Sequence, residues 1–509
     1  MNQNDYFFSR CTLILILFVI VTVLYYPQFF GFVGTDGGVY YEVTNRLKID
    51  GGLHLWKNYW DHKPNLTYYL IYPFTFLSIV EMESLGIKLA FLTYYILGGA
   101  ISLLAINMIN SKNQIILLIS FAIMFQFLLG DLDLVSNGVF FSLSLFLEFS
   151  GLVLALYGSK KSHLFFSGLF LGCAPFLRPT SIIACFILVV YFLINFISRK
   201  NNNEVRKLAR IFITIFLISL ILLFLLVLQS GNVSNFFDTF IKFNSTYGGF
   251  YRNKTLITDF FTQNYVAFFY FAISFILMIY SFFVSRKKNS FLLVLWACLE
   301  IISFVYQRKI QSFYVFGFLL PTLLVFITLI NDQLNSKTQK FIYSLFLCFC
   351  LLINLNSIYT KYNLIIEGNH FGTQENQFTY LVPQKMASLS CGEKNKNILV
   401  YGNRAQLYTF SEKLGILPYK WPVYLNPLVD RSIFSGLANE FMDGLRNDPP
   451  VFIVYSGGPG WDPNIDGRIL KLEEFINEQY REVELKPKVS NEYPYNYIYR
   501  LYINKNCTD

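Results

Sequence analysis

The chain has 509 residues, of which 54% are hydrophobic, 19% are aromatic and only 14% are charged, and its formal net charge is +9. Ordinary soluble domains are about 25% charged, so this composition excludes a typical soluble enzyme and favours a protein embedded in lipid. The positive charge is concentrated in short loops, which favours contact with anionic membrane lipids and does not indicate nucleic-acid binding.

Long apolar runs recur from the N-terminus to about residue 359. Runs of roughly 15 to 20 apolar residues are typical of helices that span a bilayer, because the backbone must satisfy its own hydrogen bonds in lipid. The sequence therefore predicts a polytopic α-helical membrane protein with about 11 or more spans. The predicted spans are 11–30, 87–107, 115–129, 137–157, 164–177, 180–197, 211–229, 265–284, 290–306, 313–330 and 341–359.

Two apolar segments need a separate interpretation. The first run, 11–30, has no small-residue cleavage site after it, so we interpret it as a retained span and not as a removed signal peptide. The segment 66–80 would break the alternation of spans if it crossed the membrane. We predict instead a helix along the outer interface, with Pro64 in its first turn.

Basic residues between the spans determine the predicted orientation, because short loops rich in Lys and Arg stay in the cytoplasm. The basic loops contain Lys160, Lys161, Arg199, Lys200, Arg206, Lys207, Arg210, Arg286, Lys287, Lys288, Lys337 and Lys340. This orientation leaves the N-terminus inside and the tail beyond residue 360 outside. The outer loops are then 31–86, 130–136, 177–180, 230–264 and 306–312.

The outer loops carry ionisable side chains of both signs. They contain Asp36, Glu42, Asp61, Lys63, Asp131, Asp133, Arg178, Arg308 and Lys309. Such groups are costly at the edge of an apolar bundle unless they are paired or used, so the mixture predicts a polar cavity that opens outward. Simple solvation explains Glu42. For Asp36, Lys63 and Arg178, each beside Gly or Pro next to an apolar run, we expect a function.

The composition changes after residue 360, where alternating and amphipathic patterns replace the apolar runs. These patterns predict strands at 397–402, 451–455 and 497–503 and helices at 404–414 and 468–480. We therefore predict a transmembrane domain over 1–359 with an outer loop at 31–86, a linker over 360–390, and a soluble extracytoplasmic α/β domain over 391–509.

Cys391 and Cys507 bracket the predicted outer domain, whereas the other cysteines lie in apolar spans. An oxidising compartment allows such a pair to close a long loop, so we predict a disulfide between them. No spacing of Cys and His is typical of a metal site. The segment from Gly457 to Gly460 follows a strand but lacks the Lys-Ser/Thr pair of a phosphate loop, so we interpret it as a turn.

Several motifs carry a resemblance to a known family. They are GTDGGVYY from Gly34 to Tyr41, WDHKP from Trp60 to Pro64, FLRPT from Phe176 to Thr180, and the stretch from Tyr306 to Pro321 with Arg308, Lys309 and Tyr314. In order and spacing they resemble the bacterial branch of the protein O-mannosyltransferase-like C-type glycosyltransferases, which includes the lipid A aminoarabinose transferases. The tail, with Val400 to Asn403 and Gln406 to Tyr408, is similar to the soluble domain of many members.

The resemblance implies a glycosyltransferase of a bacterial plasma (inner) membrane with an extracytoplasmic active site. It would take a sugar from a polyprenyl-phosphate donor and pass it, with inversion, to a hydroxyl of a glycan, lipid or protein acceptor. This chemistry needs a carboxylate base and fixed cations for the departing phosphate. We assign the base to Asp36 and phosphate binding to Lys63, Arg178, Arg308 and Lys309. The predicted substrate-binding residues are Tyr41, Asp61, His62, Asp131, Asp133 and Tyr314.

The chain departs from the family pattern at two places. Many relatives carry an acid where Ser136-Asn137-Gly138 stands here, so the roles of Asp131 and Asp133 stay open. Relatives often have a His just before the late Tyr, whereas Tyr314 follows a phenylalanine. We assign no metal ligand and no cofactor, although Asp61 with His62 could contact a divalent cation.

Two other classes of function stay open. A flippase or other transporter of lipid-linked glycans would also need an outward polar cavity, but the repeated halves and matching broken helices of transporters are not found in this sequence. An interaction protein with an inactive membrane part is the third class, and the retention of Asp36 and Lys63 argues against it.

Overall fold

The computed structural model describes most of the predicted spans and the core of the C-terminal domain. The described residues are 65–77, 85–109, 138–197, 202–230, 265–285, 287–307, 316–333, 374–389, 391, 397–402, 414–415, 442–457, 467–485 and 498–507, with a few isolated positions elsewhere. They fall into two compact units. One unit holds 91–225 and 265–333, and the other holds 65–90, 226–230 and 374–507.

Long apolar helices make up most of the described residues. Those before the C-terminal segment are α1 (Asn65–Ile71), α2 (Leu85–Ile109), α3 (Gly138–Tyr157), α4 (Lys161–Cys173), α5 (Ile182–Ile197), α6 (Asn202–Ser230), α7 (Tyr265–Ser285), α8 (Lys288–Gln307) and α9 (Phe316–Gln333). Within the described part of the chain, five helices are long and apolar enough to cross a bilayer. They begin at Leu85, Val139, Pro179, Val205 and Lys288.

The outer surface of α6 has the chemistry of a helix that faces lipid. Phe216 is 63% exposed and Phe224 is 60% exposed, and both lie among further exposed Leu and Ile side chains. A continuous apolar surface of this kind would promote aggregation in water, whereas hydrocarbon solvates it. The apolar helices and this surface together identify a polytopic membrane protein.

Eight of the predicted spans fall on described helices, while 11–30, 115–129 and 341–359 lie almost wholly outside the described residues. Two of the eight differ from their prediction by more than three residues at one end. Helix α6 begins at Asn202, nine residues before the predicted 211–229, because hydropathy detects only the part of a helix that lies in lipid. Helix α4 ends at Cys173, and a 3-10 turn at Ala174–Phe176 takes over because Pro175 cannot continue the helical hydrogen bonds.

The predicted interfacial segment is helical. Helix α1 runs from Asn65 to Ile71 and continues as a 3-10 turn over Tyr72–Leu77. The rings of Tyr68 and Tyr40 lie 5.4 Å apart between centroids, and both side chains are buried. Pro64 and Val80 lie outside the described residues, and the position of α1 along the interface stays a prediction.

Helices α4 and α6 pack closely because α4 carries glycine at the contact. A Cβ atom added to Gly168 would lie 2.5 Å from Thr214 Cβ and 3.1 Å from the carbonyl oxygen of Ile211. One turn further along α4, a Cβ atom on Gly172 would lie 3.1 Å from Ile218 Cβ. Small residues at this spacing allow two helix backbones to approach each other in a membrane.

We expect Gly168→Ala to lower the stability of the protein by about 1–3 kcal/mol, because the new methyl group would push α4 away from α6. The measurement is the thermal unfolding midpoint of the detergent-solubilised full chain. Gly444→Ala is the matched control, because a Cβ atom at Gly444 would meet nothing within 4 Å. Equal midpoints for the two variants would contradict the close contact between α4 and α6.

The described part of the C-terminal segment contains a five-stranded mixed sheet, two helices of 13 or 14 residues and a short helical stretch at 442–447. The elements are α10 (Gln374–Ala387), β1 (Asn397–Gly402), β2 (Leu414–Gly415), β3 (Phe452–Gly457), α11 (Gly467–Gln479), β4 (Tyr480–Val483) and β5 (Ile498–Asn504). The strand order is β2-β1-β3-β5-β4. Strand β1 pairs in parallel with β2 and β3, and β5 pairs antiparallel with β3 and β4.

The sheet buries one apolar face against helical residues. Leu399 of β1 and Ile453 of β3 belong to a core cluster with Leu472 and Phe475 of α11. Tyr480 closes the end of this cluster, and its hydroxyl donates a hydrogen bond of 2.7 Å to the carbonyl oxygen of Pro450. The apolar residues of β1 and β3 are consecutive, 398–400 and 452–454, and all are buried, as is typical of strands in the middle of a sheet that is covered on both faces. The apolar stripe of α11 covers one of these faces.

The sequence predicted three of these strands and α11, and it missed two strands. Leu414 and Tyr480 were predicted as the last residues of helices, but each begins a strand. Helix α10 lies within the segment predicted as a linker. The predicted disulfide is confirmed, since Cys391 and Cys507 are bonded and their Cα atoms lie 6.0 Å apart.

Candidate functional site

A cluster of three ionisable side chains lies inside the helix bundle. Arg178 Nη2 lies 2.5 Å from Glu148 Oε1, and Arg178 Nη1 lies 2.8 Å from Glu300 Oε2. The side chain of Arg178 is 7% exposed, and both carboxyl side chains are fully buried. We call Glu148, Arg178 and Glu300 the buried ion cluster.

Three separate segments of the chain bring the cluster together. Glu148 lies at the middle of α3, and Glu300 lies on α8. Arg178 lies in the turn between α4 and α5, directly before the 3-10 turn Pro179–Ser181. The turn is set locally by Pro175 and Pro179, each of which stands near the start of a 3-10 turn.

Neutral donors surround the charged groups. Trp296 Nε1 donates a hydrogen bond of 3.1 Å to Glu148 Oε2, and the Ser144 hydroxyl lies 3.3 Å from Glu148 Oε1. The Arg178 Nε–H donates to the hydroxyl of Ser181 at 3.3 Å, and the hydroxyls of Ser144 and Ser181 are in contact. These bonds fix the orientation of the Glu148 carboxylate and of the guanidinium plane.

The turn that carries Arg178 lies well inside the bundle. Ser144 Oγ lies 3.3 Å from the carbonyl oxygen of Ala174 and contacts Ser181, so the turn is level with Ser144. Ser144 follows Gly138, the first residue of α3, by six positions, which corresponds to roughly 9 Å along the helix axis. The guanidinium of Arg178 also lies over the ring of Phe141, and its Cζ atom is 4.7 Å from the ring centroid.

Arg178 is the one predicted site residue that the structure describes. Its prediction as a ligand of the donor phosphate stays untested, but the geometry gives its guanidinium two carboxyl partners. The other predicted site residues lie outside the described part of the chain. They are Asp36, Tyr41, Asp61, His62, Lys63, Asp131, Asp133, Arg308, Lys309 and Tyr314.

The sequence reasoning missed Glu148, Glu300 and Trp296. Glu148 is a lone acid in the apolar run of α3, and Glu300 is a lone acid in the apolar run of α8. An acid within a span is costly unless it is paired, so each was a signal for a buried partner. No group of three or more His, Cys, Asp or Glu side chains suited to a metal ion occurs among the residues that the structure describes.

The chain is similar to two proteins of known structure. It aligns with the crystal structure of ArnT from Cupriavidus metallidurans bound to undecaprenyl phosphate with a TM-score of 0.58 and 12% sequence identity, over 98% of each chain. It aligns with the apo oligosaccharyltransferase of Archaeoglobus fulgidus with a TM-score of 0.52 and 13% identity, over 96% of this chain and 76% of that one.

The same oligosaccharyltransferase in complex with zinc and sulfate aligns with a TM-score of 0.50 and 14% identity, over 87% of this chain and 68% of that one. No protein-family profile and no curated protein matches the sequence. At these identities the likeness concerns the fold. The chain therefore shares its fold with ArnT and with this oligosaccharyltransferase.

Proposed function

We propose that the protein transfers a sugar from a polyprenyl-phosphate-linked donor to an acceptor hydroxyl on the outer side of a bacterial inner membrane, with inversion at the anomeric carbon. The observation that carries this proposal is the shared fold, over 98% of both chains, with ArnT, whose crystal structure holds undecaprenyl phosphate. The motifs around Asp36 and Lys63 support the same assignment.

The proposed chemistry is a direct displacement. Asp36 accepts the proton of the acceptor hydroxyl as the hydroxyl oxygen attacks the anomeric carbon, and the bond from that carbon to the phosphate oxygen breaks. A positioned base contributes about 10²–10⁴-fold to such a step. Fixed cations stabilise the departing lipid phosphate, and for this role we propose Lys63 with Arg308 and Lys309. Tyr41, Asp61, His62, Asp131, Asp133 and Tyr314 remain proposed contacts to the substrates.

Cleavage of the sugar–phosphate bond distinguishes a glycosyltransferase from a transporter of the donor. The experiment supplies the purified full chain with a panel of undecaprenyl-phosphate hexoses and pentoses and with envelope glycolipids as acceptors, and it measures the release of free undecaprenyl phosphate. The proposed function requires release that depends on the acceptor. A flippase would move the donor across a proteoliposome membrane and leave the sugar–phosphate bond intact, and that result would overturn the proposal.

The predicted orientation puts residues beyond 360 outside the cytoplasm. We expect a single cysteine introduced as Asn464→Cys to react with a membrane-impermeant thiol reagent in intact spheroplasts. Lys337→Cys, in a loop predicted to be cytoplasmic, is the matched control and should react only after permeabilisation. The reverse pattern would invert the orientation and move Asp36 to the cytoplasmic side.

A further inference from the structure

The buried ion cluster contains two carboxyl groups and one guanidinium, and the proposed transfer reaction assigns no role to either glutamate. We propose that Glu148, Arg178 and Glu300 form one electrically neutral unit that braces the turn between α4 and α5 against α3 and α8. We further infer that Arg178 acts within this unit and does not contact the donor phosphate. This second statement rests on the proposed function, whereas the brace does not.

Charge balance is the first step of the argument. An isolated charge at the middle of a membrane-spanning bundle is costly, and ionisable groups there occur in balanced, hydrogen-bonded sets. Glu148 and Glu300 bind the two terminal nitrogens of one guanidinium, at 2.5 and 2.8 Å. Two carboxyl groups on one cation are neutral only when one carboxyl group holds a proton.

The hydrogen bonds indicate which carboxyl group holds the proton. Glu148 is within reach of three donors, from Arg178, Trp296 and Ser144. Among the residues that the structure describes, Glu300 accepts from one donor, Arg178, and no donor within them reaches its buried Oε1. A carboxylate is stabilised by the number of donors it accepts from, so the charge belongs on Glu148 and the proton on Glu300.

The described neighbours of Arg178 already engage each nitrogen of its guanidinium. Its Nε–H points to Ser181, its terminal nitrogens point to the two carboxyl groups, and its face lies against Phe141. A phosphate that reached the guanidinium would also meet the negative charge of Glu148. The ion pair between Arg178 and Glu148 already balances the guanidinium charge, so the cluster offers no net attraction for an anion.

The cluster joins segments that are far apart in sequence, since Arg178 and Glu300 are separated by 122 residues. Ser144 and Ser181 add a second link between α3 and the turn. Backbone hydrogen bonds from Leu177 and Arg178 to Ala174 and from Ser181 to Arg178 hold the turn in shape, and the side chains of the cluster link it to α3 and α8. The brace therefore fixes the depth of this turn in the bundle.

Thermal unfolding of the purified full chain tests the brace. Glu300→Gln replaces a neutral acid by a neutral amide, so we expect its unfolding midpoint to stay within about 2 °C of wild type. The double variant E148Q/E300Q leaves Arg178 without a carboxylate and should lower the midpoint by about 5 °C or more. The triple variant E148Q/E300Q/R178M removes every charge and should recover most of that loss. A triple variant no more stable than the double variant would overturn the brace.

The exposed pair Asp443–Arg446, at 3.6 Å, is the matched control for this series. Its neutral variants D443N, R446M and D443N/R446M should all unfold within about 2 °C of wild type, because an exposed pair contributes little. A second measurement does not depend on the unfolding midpoints, and it uses Glu300→Gln, the variant expected to unfold close to the wild-type temperature. The infrared C=O stretch of a protonated carboxylic acid should be present in the wild-type protein and lost in Glu300→Gln, and an unchanged band would overturn the neutral unit.

Binding of undecaprenyl phosphate alone tests the inference about the donor. We expect the triple variant E148Q/E300Q/R178M and the single variant Arg178→Lys to bind this probe within about 3-fold of wild type. A loss of about 10-fold or more in the triple variant would assign Arg178 to the phosphate and overturn the inference. If the wild-type protein does not bind the probe, the proposed function fails, while the unfolding and infrared results still decide on the brace.

Discussion

Replacing Asp36 with Asn is expected to abolish sugar transfer and to leave the protein folded. Asn has the size of Asp but cannot accept a proton, so the acceptor hydroxyl would attack without a base, with a loss of about 10²–10⁴-fold in rate. In the sequence, Asp36 stands between Thr35 and two glycines of the predicted outer loop, and glycine allows a backbone to come close to a substrate. The measurement is the release of undecaprenyl phosphate by the purified variant.

Glu42→Gln is the control for this experiment, because Glu42 is an acid of the same loop for which solvation is the simpler interpretation. We expect it to keep transfer within about 3-fold of wild type, since it removes a charge without removing the base. Both variants should unfold at the wild-type temperature. An Asp36→Asn protein with activity within a few fold of wild type would exclude Asp36 as the base.

Hydropathy predicted the membrane helices well, because a span is determined by its own composition. Helix α3 was predicted at 137–157 and occupies Gly138–Tyr157. The largest difference between prediction and structure lies where a helix continues beyond its apolar run. Helix α6 continues from the apolar run into the basic segment Glu204 to Arg210, where helix-forming residues extend it.

Local sequence patterns could not predict the two missed strands of the C-terminal domain, because both strands are short. Strand β4 begins at Tyr480, directly after Gln479, the last residue of α11, and has only four residues. Such a short strand carries no pattern of its own, and it forms because β5 supplies a pairing edge. Pairing with β5 therefore determines the structure of β4, although the sequence alone placed Tyr480 in the preceding helix.

The buried ion cluster could be anticipated only in part. Arg178 was recognised as a functional candidate because it stands beside Pro179 at the end of an apolar run. Its partners Glu148 and Glu300 lie 30 residues before it and 122 residues after it, so no local motif connects the three. The sequence does show a lone acid in each of two spans, and charge balance alone would have required a cation for them.

Replacing Lys63 with Ala is expected to weaken binding of undecaprenyl phosphate by about 10-fold or more, because the ammonium group would lose its contact with the lipid phosphate. Lys63 adjoins Pro64 in the predicted outer loop, directly before α1. Lys63→Arg should keep most of the affinity, since the charge is retained, although the planar guanidinium differs from a point charge. Lys48→Ala changes a lysine of the same predicted loop for which solvation is the simpler interpretation, and it should bind like wild type. Unchanged affinity in Lys63→Ala would move the phosphate site to Arg308 and Lys309, whose neutral variants would then be the next to measure.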